Sequence, residues 1–160
     1  MNGAMLHLVS NHIPVIMPPF LALLFAAAIW RRSKELAAAG YAGLVLTALL
    51  TIVAFQSGGP AAHIVRGIEG VERADVRAHS HAADQAFWAM EALGVLAIGG
   101  LVAMVKKEDL LPRLNVAALL GSVLLSAWMG WVAHLGGLIR HPEIGPDFVL
   151  PATEMDSPPK

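Results

Sequence analysis

Four long apolar runs, separated by short polar stretches, leave this chain few folds to choose from. They cover about residues 6–30, 37–55, 86–105 and 116–139. Each is near the ~20 residues that a helix needs to cross a bilayer. Only 14% of the 160 residues are charged, whereas a soluble domain carries roughly 25%, so the chain has too few charges to cover a water-facing surface. The pattern predicts an all-α membrane protein: an up-down bundle of four transmembrane helices over residues 1–144. An outer loop at 57–78 and a flexible Pro-rich outer tail at 145–160 complete it. The N-terminus does not read as a cleavable signal, because no basic region precedes the first apolar run and no small-residue cleavage site follows it.

Basic residues give the expected orientation. Arg31, Arg32 and Lys34 lie between the first two runs, and Lys106, Lys107 and Arg113 between the last two. By the positive-inside rule both turns are cytoplasmic, which places both termini outside. Arg66, Arg73, Arg77 and Arg140 fall on the other side, interleaved with Glu69, Glu72, Asp75, Glu143 and Asp147. The net charge of −1 argues against nucleic acid, which asks for a basic patch. The chain has no cysteine, which excludes disulfides, thiolate metal sites, iron–sulfur clusters and covalently attached haem.

All seven histidines (His7, His12, His63, His79, His81, His134 and His141) fall on the outer half of this topology. Counted upward from the basic turns at ~1.5 Å per residue, His12 and His134 stand roughly 28 and 31 Å up, just inside the apolar region. His7, His79, His81 and His141 stand roughly 36–42 Å up, at the water boundary. Glu91 lies deeper, roughly 22 Å above Lys106, and a carboxyl at that depth is a candidate functional group. Its ordinary reading is a protonated acid hydrogen-bonded across helices to Ser126 or Thr47. The ordinary reading of any one histidine is an interfacial side chain bonded to a backbone carbonyl. Trp128 and Trp131, near His134, read as an interfacial aromatic belt.

The two halves also resemble each other. Each has a histidine-bearing entry, an apolar helix, a basic turn and a second helix. Each then has a Gly-Gly pair four residues before a histidine, Gly59 to His63 and Gly137 to His141. This pattern suggests a duplicated helical hairpin, although any two helical hairpins look somewhat alike.

The motifs LHLVSNHIPV and GGLIRHPEI resemble those of small four-helix bacterial membrane proteins of the DUF2231 type and their close relatives. The likeness runs from about Leu6 to Ile144: Asn11-His12-x-Pro14, a Gly turn after the second helix, an acidic outer loop reaching His79, and the Gly136–Ile144 ending. It implies a multi-pass protein of the bacterial cytoplasmic membrane, linked to haem or metal. His12, His79 and His141 match the pattern, whereas His81 and His134 are additions of this sequence.

Two cofactor readings follow. In the first, a b-type haem is held between helices by histidines: His12 is one axial ligand with His79, His81 or His134 as its partner, or His7, better matched in depth but more exposed, stands opposite His79 or His81. Asn11 would support His12, and Arg140 would face the propionates. Such a protein would pass electrons at the periplasmic side, within a respiratory complex or to a quinone or periplasmic cytochrome. In the second, His12, His79, His81 and His141 bind a copper, zinc or iron ion. A third class is a cofactor-free accessory subunit. No nucleophile–base arrangement or nucleotide motif points to a stand-alone enzyme.

Overall fold

The computed structural model describes residues 3–106, 109–141 and 144, and the described residues are almost wholly helical. The helices are α1 (Gly3–Ser10), α2 (His12–Arg31), α3 (Lys34–Val65), α4 (Arg73–Lys106) and α5 (Leu111–Leu138). Together α1 and α2 make the first span, Gly3–Arg31, and α3, α4 and α5 make the other three. All four are long and apolar enough to cross a bilayer. Their outward faces carry large apolar side chains such as Leu23, Trp30, Val95 and Leu124, each at least two-thirds exposed. In water that surface would be insupportable; in lipid it is the expected one. The protein is a multi-pass, all-α membrane protein.

The turns follow from local chemistry. Arg32 takes a left-handed conformation (φ 50°) that ends α2. Ser33 then caps α3, its hydroxyl accepting from the Leu36 N–H at 3.2 Å. Pro112 stands in the first turn of α5, where a missing N–H costs nothing. In the first span the regular helix is interrupted at Asn11, between α1 and α2, although Asn11 itself keeps right-handed helical dihedrals. Pro14 explains the position, since it has no N–H to give to the Ser10 carbonyl. Pro18 and Pro19, by contrast, sit inside α2 without ending it.

Neighbours pack as α2–α3, α3–α4, α4–α5 and α5–α2, which closes a four-sided bundle. The first and third spans are therefore diagonal. α1 packs mainly on α3. The core runs through Leu21, Phe25, Tyr41, Leu44, Met90, Leu125 and Met129, all buried. At the end near Arg32 and Lys34 the Phe25 and Tyr41 rings meet edge to face at 5.0 Å.

Two sequence expectations are corrected. The outer loop is not 57–78: α3 continues through Ser57-Gly58-Gly59-Pro60 to Val65, and α4 already begins at Arg73. Glycine and proline signal a turn in water, but packing against a neighbouring helix supports them within a membrane helix. Here α1 supplies that packing: Ser57 and Ala61 are buried, and Gly3 lies against Pro60. The same extension undoes the Gly-Gly correspondence between the halves. α3 runs six residues past Gly59, whereas α5 ends at Leu138, directly after Gly137. Lys107, Glu143 and the expected tail lie outside the described residues.

Candidate functional site

Of the seven histidines, the fold brings two together. His7 on α1 and His79 on α4 meet across the diagonal at the end away from the basic turns, their ring centroids 6.4 Å apart and their planes nearly perpendicular at 80°. Each ring is held from behind by a third helix. His7 Nδ1 donates to the Ala54 carbonyl of α3 at 2.9 Å, with Ser57 Oγ 3.3 Å away. His79 Nδ1 donates to the Val132 carbonyl of α5 at 3.0 Å. A carbonyl can only accept, so these bonds put the proton on Nδ1 and leave Nε2 with its lone pair. Among the described residues no hydrogen bond occupies either Nε2.

Glycine lets the neighbouring backbones reach the rings. A Cβ at Gly136 would stand 3.1 Å from His79 Cε1, and one at Gly58 would stand 3.5 Å from His7 Cε1. The backbone of α5 therefore passes too close to the His79 ring to leave room for a side chain at Gly136. Both histidines are only partly exposed. The result is two half-buried imidazoles in edge-to-face proximity, each anchored through Nδ1. Such a pair can take up a cation or a metal centre.

The remaining candidates stand elsewhere. His12 is exposed, and its Nδ1 donates to the Leu8 carbonyl of its own chain turn at 2.6 Å. It looks outward from the first span, beside a shallow apolar groove lined by Ile13, Ile16, Met17, Leu46 and Leu50. Asn11 makes no side-chain cap bond to α2. His81 is exposed and accepts from the Gln85 amide at 3.3 Å. The His134 ring lies 5.5 Å from Trp131, which fits the interfacial reading of both. Arg140 and His141 follow the end of α5 and are exposed. His63 is an exposed residue of α3. Among the described residues no group of three or more metal-ligating side chains gathers.

Glu91 has neither of its expected partners. Thr47 Oγ1 donates to the Gly43 carbonyl and Ser126 Oγ to the Ser122 carbonyl, each within its own helix. Glu91 Oε1 is buried with no hydrogen-bond partner among the described residues. On α4 it stands one turn from Phe87 and three residues before Gly94. Phe87 stacks on Phe55 at 4.1 Å and Gly94 lies against Ala48, so Glu91 belongs to the α3–α4 seam.

The sequence did not single out Ala54, Ser57 and Val132, the groups that anchor the two rings. Two of the three act through backbone carbonyls, which carry no side-chain signature. No known protein family, curated protein or solved structure matches the chain.

Proposed function

We propose that the protein is a b-type cytochrome of the bacterial cytoplasmic membrane, with His7 and His79 as the axial pair and the site at the periplasmic side. The observation that supports this is the ring geometry. Two imidazoles on opposite sides of one metal, with bonds of about 2.0–2.1 Å, place their centroids about 6.3 Å apart, against about 5.2 Å at a tetrahedral angle. The observed separation is 6.4 Å. The donor set fits haem iron, which takes two ligands from the protein because the porphyrin supplies the other four. Nδ1 bonding to carbonyls is also the usual support for a ligating imidazole. When bound, haem supplies a one-electron iron couple. The protein's part would be to hold the two imidazoles near one another and to bury the site partly. An electron partner would be a quinone, a periplasmic cytochrome or a larger respiratory complex. Membership of the DUF2231-type family belongs to the same proposal.

One observation favours a second reading, a bare copper, zinc or iron ion. The α5 backbone lies close against the His79 ring at Gly136, and an ion needs no slot, whereas a porphyrin requires the helices to stand apart. A reduced-minus-oxidised spectrum with metal analysis separates the two. Sharp α and Soret bands are expected for haem. Stoichiometric metal without them supports the bare ion, and neither would sink both readings.

The orientation is tested with single cysteines, since the chain has none of its own. In intact cells, a membrane-impermeant thiol reagent should label Ile68→Cys and miss Lys34→Cys until the cells are opened. The reverse pattern would invert the topology and put the histidine pair in the cytoplasm.

A further inference from the structure

We propose that α1 is a clasp that sets the distance between the two imidazoles, and that Gly3 is the positioning residue that seats it; this rests on reading His7 and His79 as one two-ligand centre. Gly3 and His7 are four residues apart, so they share one face of α1. That face meets the outer end of α3 at two points, Gly3 on Pro60 and His7 on Ala54 and Ser57. A Cβ added at Gly3 would lie 2.6 Å from Pro60 Cβ and 3.5 Å from the Pro60 carbonyl carbon. Neither neighbour can yield. One belongs to a proline ring and the other to a backbone inside a 32-residue helix.

The joint that would let α1 lift is also present. Asn11 keeps helical dihedrals and its N–H bonds to the His7 carbonyl, but Pro14 has no N–H for the Ser10 carbonyl, so the span bends most easily there. Gly3 lies eight residues from that joint, roughly 12 Å, and His7 about half as far. Restoring ordinary contact at Gly3 requires a lift of about 1 Å, which becomes about 0.5 Å at His7. Metal–ligand distances hold to about 0.2 Å. A single methyl group, distant from the metal, is thus enough to spoil the ligand geometry. Alanine is the better helix former, so α1 itself should persist.

The test uses the full-length protein in lipid nanodiscs, titrated with Cu2+ alone and followed by electron paramagnetic resonance, with the optical spectrum of any haem recorded beside it. Gly3→Ala should weaken Cu2+ binding about tenfold to a hundredfold, the range seen when the supports of metal ligands are altered. It should also lower the low-spin fraction of any haem. Pro60→Gly removes the opposing Cβ and adds no strain to α3, so the double variant Gly3→Ala/Pro60→Gly should recover wild-type binding. A merely structural role would not produce that rescue. Equal binding by Gly3→Ala and wild type, or loss without rescue, overturns the clasp and leaves the site reading standing, provided His7→Ala and His79→Ala still abolish binding. If those two variants bind Cu2+ as wild type does, the site reading itself falls and the clasp falls with it.

Discussion

Replacing either His7 or His79 with alanine should abolish the low-spin signal of the bound centre, and replacing both should do no more than either alone. Two axial ligands act as a unit, so their effects are not additive. With one imidazole gone, iron keeps a single protein ligand and passes to high spin, or the haem is lost on purification. Added imidazole should restore part of the low-spin spectrum in His7→Ala, because the remaining ring is still fixed by the Val132 carbonyl. His12→Ala is the contrasting case. Its ring is exposed and bonded to Leu8 of its own chain turn, so the spectrum should not change. Membrane insertion should survive in all three, since none of these side chains belongs to the apolar core. If His12→Ala removes the centre and His7→Ala spares it, the pair has been misassigned.

That contrast shows where the sequence is legible. The four spans and their basic turns can be read directly, because lipid imposes length and apolarity on every segment that crosses it. The gathering of histidines at one end is legible for the same reason, since depth along a helix is simple counting. Which histidines face each other is not. It depends on rotation about each helix axis, and an all-round apolar helix carries little signal for rotation. His12 has the more suggestive neighbours in sequence, Asn11 and Pro14, yet Pro14 acts on the backbone, by interrupting the helix at Asn11. His7 lies on the far side of that interruption and is turned toward the bundle by α1. Depth counting matches His7 with either His79 or His81 and cannot choose between them; the fold brings it to His79. The extension of α3 past Gly58-Gly59-Pro60 was hidden because the helix there is stabilised by α1, a contact between residues more than fifty positions apart. Glu91 is the reverse case: its depth was plain, but no hydroxyl pairs with its buried Oε1 among the described residues, and the hydroxyl protons of Thr47 and Ser126 go to carbonyls of their own helices.

The largest effect on stability is expected from Gly100→Ala. Tyr41 fills the bundle beside the two basic turns and is wholly buried. Its hydroxyl donates to Asn115 Oδ1 at 2.7 Å, which ties α3 to α5. Phe25 of α2 closes the other side of the ring at 5.0 Å. The α4 backbone approaches at Gly100, where a Cβ would overlap the ring at Cε1 and Cζ. The ring has nowhere to go: moving away drives it into Phe25, and swinging it breaks the bond to Asn115. α4 must therefore shift, and overpacking of this kind costs about 1–3 kcal/mol, less the several tenths to 1 kcal/mol that alanine returns in helix propensity. Unfolding in mixed micelles of increasing SDS, followed by circular dichroism, should show Gly100→Ala with a clearly lowered midpoint. Tyr41→Phe isolates the smaller contribution, about 1 kcal/mol for the lost hydrogen bond and the stranded Asn115 oxygen. Tyr41→Leu decides the cause. It empties the space that the new methyl group would enter, so in that background Gly100→Ala should cost nothing or stabilise slightly. An equal penalty with and without the tyrosine ring would mean that Gly100 is needed for some reason other than the close approach of α4 to Tyr41.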